Sequence, residues 1–161
     1  MNDIYKLKPS SEQRRLLKKT ANASLRVYNL ILKNIQKDTK RWISDEVDVK
    51  LLSHSLILKD RATNIAKYSD IEIRALDFSE ELILDALSDT DENKFKKIKP
   101  KDTPFYRSCS KYLRVGNGKI YVPKIGLILI EVPNGVEIPQ INSATFFLMK
   151  KEWFVKLLFN E

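Results

Sequence analysis

Residues 3–17 read DIYKLKPSSEQRRLL, and the change of period inside this stretch decides how the chain is built. From Asp3 to Lys8, Tyr5 and Leu7 alternate with Lys6 and Lys8, the period of two expected of a half-buried strand. Pro9 cannot extend it. Ser10 or Ser11, with Gln13 close behind, supplies the hydroxyl that caps the free N–H groups of a helix start. Beyond it Leu17, Ala21, Ser24, Tyr28, Ile31 and Ile35 recur at steps of four and three, so one apolar seam runs down a long helix. Arg15, Lys19, Asn22, Arg26, Asn29, Lys33, Lys37 and Lys40 repeat the rhythm about two residues later, which at roughly 100° per residue places them opposite the seam. A solvated helix back usually mixes charge signs, so a stripe without acids points to phosphate contact rather than to plain solvation.

Further along, Val47 to Leu58 and Ile71 to Leu87 read as helices, the second with Ile73, Leu76, Ile83 and Leu87 on one side. Asp77, Glu80, Glu81 and Asp85 are expected on its solvent side, and Ser88–Asn93 as a loop. From Phe95 the period returns to two. Strands are expected at Lys111–Arg114, Gly118–Val122, Leu127–Val132, Ala144–Met149 and Trp153–Phe159, with a tight turn at Gly116-Asn117-Gly118 and a hairpin loop at Lys150-Lys151-Glu152. The fold class is therefore α+β: a small antiparallel β-barrel or curled sheet with a helical bundle inserted after its first strand. Residues 1–9 and 95–161 form the β part, and 10–94 the helical insert.

Charge follows this division. Residues 1–41 carry eleven Lys or Arg against three acids, 42–92 five against thirteen, and 93–161 thirteen against five. Two basic segments flank an acidic one, the sum being the net +8. A single cysteine, Cys109, excludes an internal disulfide and fits a reducing cytoplasm. No apolar leader opens the chain and no stretch approaches the roughly 18 apolar residues of a membrane span, so neither secretion nor membrane insertion is expected.

The chemistry-bearing residues are few. Asp77, Glu81 and Asp85 fall at i, i+4 and i+8, a spacing more often found on a solvated helix face than at a metal site. His54 is the only histidine and has neither a second ligand nor a nucleophile to serve. Cofactor, metal and small-molecule substrate are accordingly not expected. Phe105, Tyr106, Tyr112 and Tyr121 interleave with Arg107, Lys111, Arg114, Lys119 and Lys124, the mixture of rings and cations used by nucleic-acid binders. A barrel core also needs rings. Tyr106 and Tyr121 are the two expected at the surface.

Several of these pieces resemble a family. YKLKPSSEQRRLL (5–17) followed by RVYN (26–29) is similar to the start of the TnpB-type transposon-encoded RNA-guided nucleases, related to type V CRISPR effectors, through Pro9, Gln13, Leu16, Leu17, Arg26, Tyr28 and Asn29. FKKIKPKDTPFYRS (95–108), NGKIYVPKIGLILI (117–130) and SATFFLMKKEWFVKLLF (143–159) resemble that family's basic linker, its strand opening at Pro123, Lys124, Ile125 and Gly126, and its closing hairpin with Trp153 and Phe154. The resemblance implies a wedge domain, an oligonucleotide-binding-like barrel, with a recognition domain inserted, and implies as partners a structured guide RNA and its target DNA; the chain would be either a short transposon-derived form or one subunit of a split effector that works with a separate nuclease subunit. The family's nuclease carboxylates and zinc ribbon would follow the closing hairpin, and they are not in this sequence. The expectation is a binding module without catalysis, whose contacts are Lys6 and Lys8, the helix stripe, and Arg107, Lys111, Arg114, Lys119, Tyr121 and Lys124. The alternative is a protein-interaction or inhibitor subunit that imitates the family and docks on a protein partner.

Overall fold

The computed structural model describes residues 2–37, 45–109 and 111–159. Strand β1 (Asn2–Lys8) leads into helix α1 (Ser11–Gln36). Helices α2 (Glu46–Thr63), α3 (Ile65–Tyr68), α4 (Ala75–Asp89) and α5 (Glu92–Lys96) follow. The remaining strands are β2 (Phe105–Ser108), β3 (Arg114–Gly116), β4 (Lys119–Val122), β5 (Gly126–Ile130), β6 (Ile141–Met149) and β7 (Glu152–Phe159).

All seven strands join one antiparallel sheet in the order β2-β6-β7-β1-β5-β4-β3. The strand that precedes the helices thus lies at the centre, pairing with β7 through residues 2–6 and with β5 through Leu7 and Lys8. Alternation sends Leu7, Ile120, Ile128, Phe146, Val155 and Leu157 to one face, so side chains from both halves of the sheet meet in a single core. β2 and β3 are the edges, and the sheet is open among the described residues.

Helix α1 starts as its sequence dictates. Ser10 Oγ accepts from the Gln13 amide at 3.2 Å and Gln13 Oε1 accepts from the Ser10 amide at 2.9 Å, a reciprocal capping box. Its seam is buried throughout, from Leu17 to Ile35. Leu17 and Ala21 pack on the sheet core, whereas Val27, Tyr28, Ile31, Leu32 and Ile35 pack with Val49, Ile83, Leu87 and Phe95 in a second core. At 1.5 Å per residue this 26-residue helix is about 39 Å long, enough to serve both. Buried Ser24 and Ser79 satisfy each other between α1 and α4 at 2.9 Å.

The two hairpins show why turns matter to register. Asn117 (φ 53°) and Gly118 (φ 70°) form a two-residue loop that sets Gly116 opposite Lys119, so β3 falls at Arg114–Gly116 rather than at the expected Lys111–Arg114. Lys150 (φ 51°) and Lys151 (φ 67°) do the same between β6 and β7, although neither residue favours the left-handed region.

Four other expectations are corrected. α2 continues to Thr63, beyond Leu58. Ile73 precedes α4 and is 36% exposed instead of lying in its seam. Glu80 is buried rather than on the solvent side, which raises its carboxyl above the usual range by desolvation. The expected loop at Ser88–Asn93 is divided between the end of α4 and the start of α5, which Asp91 caps through the Lys94 amide.

Candidate nucleic-acid interface

Two surfaces gather the sequence-predicted residues. The first is an open groove of about 760 Å³ along the back of α1. Lys19, Asn22, Arg26, Asn29 and Lys33 line it from α1, and Lys67 closes it from α3. Ala23, Leu25, Leu30 and Ala66 supply the apolar lining, and no carboxylate is among the lining residues.

Within that groove the polar groups divide by what they touch. Arg26 donates from Nε and a terminal nitrogen to both Asp60 oxygens, at 2.7 and 2.8 Å, a fork-shaped pair joining α1 to α2. Asp60 also accepts from the Tyr68 hydroxyl and from Asn64 Nδ2. With the Arg26 guanidinium as the largest cause, its carboxyl is held down at about 2, and the Arg26 guanidinium is held further above its ordinary range. Burial against Asp60 pushes Tyr68 up. Arg26 is therefore a framework residue before it is a phosphate ligand, contrary to the expectation of a free stripe. Asn29 is likewise occupied: its amide donates to the Lys101 carbonyl at 2.8 Å and accepts from the Lys101 amide at 2.9 Å. Lys19 donates to Ser69 Oγ at 2.8 Å, a neutral partner that leaves its charge uncompensated by that contact. Asn22 and Lys33 are exposed.

Other members of the stripe stand apart. Arg15 donates to Glu12 at 2.6 and 3.0 Å, so an acid three residues earlier neutralises it, and this corrects the expectation of a stripe without acids. Lys37 is exposed beyond the groove, and Lys40 lies outside the described residues.

The second surface is the outer face of the sheet. Register sets Arg114, Tyr121 and Leu127 in one row across β3, β4 and β5, and Lys119, Leu129 and Lys8 in the next. Lys6 lies across from Phe154, which stacks on Phe147 at 5.9 Å. Tyr121 is 40% exposed, as expected. Lys8 reaches Glu131 at 3.0 Å. Lys111 and Arg114 also line a hollow of about 580 Å³ with Cys109, whose thiol burial pushes up. Lys124 is exposed in the β4–β5 turn at φ 70°.

Tyr106 is not at the surface as expected, and Arg107 is only partly exposed, for one reason: residues 105–108, expected as part of a basic linker, form the four-residue strand β2. Tyr106 faces inward against Phe146, stacked at 4.9 Å and fully buried, where desolvation pushes its hydroxyl well up. Arg107 faces the helices, its guanidinium 4.0 Å from the Phe78 ring and its Nε donating to Thr145 Oγ1 at 3.3 Å. Tyr112, by contrast, is 57% exposed beneath Lys111.

The sequence reading missed Lys67 and Lys156. Lys67 sits in the acidic segment, and only the packing of α3 on α1 brings it to the groove. Lys156 shares the outward parity of Phe154 in β7 and lies across from Ile4, a position that alternation could have revealed. Asp77, Glu81 and Asp85 line a shallow hollow with Glu46, Lys50 and His54, and His54 Nδ1 stands 3.9 Å from Glu80. Among the described residues no group of three or more His, Cys, Asp or Glu could hold a metal ion, and no helix is long and apolar enough to cross a membrane. No protein-family model matches the chain, and neither does any curated protein.

Proposed function

We propose that this protein binds nucleic acid, with the groove along α1 as its primary phosphate-contacting surface and the outer face of β3, β4 and β5 as a second contact. The observation that carries this reading is the groove itself. Lys19, Lys33 and Lys67 come from two elements separated in sequence and meet around one open channel with no acid in its lining, in a chain that has 21 acids. Such a field attracts a polyanion, and the apolar lining accepts sugar and base surface. Tyr121, between Arg114 and Leu127, offers a ring on which an unpaired base can stack.

The resemblance to the TnpB-type nucleases extends this reading. The curled sheet would correspond to an oligonucleotide-binding-like wedge barrel, the helices to the inserted recognition domain, and the ligand to a structured guide RNA with its DNA target.

The test is binding of a folded RNA hairpin by fluorescence anisotropy across a salt series, with the Lys19→Gln, Lys33→Gln, Lys67→Gln variant in parallel. Each phosphate contact contributes about −0.7 to −0.9 to the slope of log K against log salt. The triple variant should therefore flatten the slope by about 2 to 3. An unchanged slope in the variant, or a flat one in the parent protein, removes the groove from the function.

A further inference from the structure

Helix α2 is apolar on two opposite sides. Val49, Ser53 and Ile57 are buried against the rest of the helical part. On the other side Val47, Leu51 and Leu58 are 64%, 64% and 62% exposed, and Ile65, at the start of α3, is 70% exposed. At about 100° per residue Val47, Leu51, His54, Leu58 and Ala62 fall within one stripe, centred roughly opposite the buried one. The stripe ends in a shallow hollow of about 350 Å³ lined by Leu58, Ala62 and Ile65. Packing among the described residues does not account for an exposed seam of this regularity, and contiguous apolar surface of this kind marks an interaction site.

We infer that α2 pairs antiparallel with α2 of a second copy of this chain, forming a two-fold symmetric dimer. Charge selects both partner and direction. The N-terminal end of α2 carries Asp45, Glu46 and Asp48 with Lys50, which Glu46 holds, and its C-terminal half carries Lys59 and Arg61 with Asp60, which Arg26 holds. A parallel copy sets acids against acids and cations against cations. An antiparallel copy centred between residues 54 and 55 sets Asp48 against Arg61 at both ends, while Lys50, held by Glu46, faces Lys59, and it also opposes the helix dipoles. The same geometry fits the side chains. With the axis between His54 and Ser55, Leu51 meets Leu58 of the copy and Val47 meets Ala62, the small residue in the hollow that leaves space for the incoming valine. One helix pair buries less than a standard interface, so the dimer is expected to be concentration-dependent, with Kd on the order of micromolar.

The experiment is sedimentation equilibrium on the full chain, free of nucleic acid. The parent protein should dimerise, and Leu51→Glu with Leu58→Glu should weaken the dimer at least about 100-fold, because two charges would be buried against apolar partners. Circular dichroism should stay unchanged, since both leucines are exposed in the single chain. Direction is read by oxidation in a Cys109→Ser background. His54→Cys, next to the axis, should link two chains. Val47→Cys alone should not, whereas Val47→Cys combined with Ala62→Cys should. A parent protein that stays monomeric at roughly 200 µM, far above the expected Kd, overturns the proposal and assigns the seam to a different chain. A dimer indifferent to the two glutamates, or Val47→Cys linking on its own, overturns it equally.

Discussion

The back of α1 and the outer face of β3 to β5 are both rich in cations in the sequence, yet they use them differently. On α1, Arg15 is spent on Glu12, Arg26 on Asp60, and the neighbouring Asn29 on the backbone of Lys101. On the sheet, Arg114, Lys119 and Lys124 are exposed, and register places Arg114 and Lys119 beside the apolar Tyr121 and Leu129. Formal charge along a chain is therefore not the charge a ligand meets. What reaches a ligand depends on partners that lie far away in sequence, 34 residues in the case of Arg26 and Asp60. The groove keeps its field because Lys67 is added by α3 while Arg26 is withdrawn by α2.

The largest expected effect sets the two surfaces against each other directly. Lys19, Lys33 and Lys67 changed together to Gln should lower RNA affinity by roughly 100-fold at low salt, and Arg114, Lys119 and Lys124 changed to Gln by roughly 10-fold. Filter binding at fixed salt measures both. The reverse order would make the sheet the primary surface. Lys50→Gln with Lys59→Gln removes two positive charges outside the groove lining and should change affinity least.

A second comparison separates framework from ligand within α1. Asp60→Asn should cost about 2 kcal/mol in urea unfolding, less than a fully buried pair because Arg26 is partly in water. Lys33→Gln should stay within about 0.5 kcal/mol, as exposed substitutions do. Equal costs would mean that Arg26 and Lys33 play one role. The same pair fixes the acid limb of stability. Asp60 is depressed from the ordinary 3.8 to about 2, so its contribution is fully present above the ordinary value and disappears as pH falls through about 2. Asp60→Asn should flatten that part of the stability–pH curve, and a curve that keeps its shape would count against the Arg26 pair.

On the sheet, binding and stability should move in opposite directions. Lys124 occupies φ 70°, so Lys124→Gly should relieve strain of about 1 kcal/mol and raise the melting temperature while weakening RNA binding a few-fold. Lys150→Asn with Lys151→Gly should stabilise by a similar amount with binding unchanged. A fall in melting temperature for either would show that the turn is held by contacts rather than by backbone preference.

The smallest effect is at Tyr106. Its hydroxyl is buried without a hydrogen-bond partner among the described residues, so Tyr106→Phe should be neutral to slightly stabilising, within about 0.5 kcal/mol by thermal unfolding. A clear loss would reveal a partner for the hydroxyl and make the inward face of β2 more than packing.

The sequence by itself determined the α+β class, the long helix with its cap and buried seam, the placing of helices between the first strand and the others, and the turns that fix β3–β4 and β6–β7. These depend on near neighbours: a period of two or 3.6, a proline, a capping hydroxyl, an Asn-Gly pair. Tertiary structure decided the rest. It turned Tyr106 inward because β2 pairs with β6, a strand 40 residues later in register, Tyr106 lying opposite Phe146. It withdrew Arg26 by packing α2 on α1, and brought Lys67 to the groove by packing α3 there. Whether a cation is free or paired depends on what stands within about 4 Å of it, and for residues this far apart in the chain only the fold sets that distance.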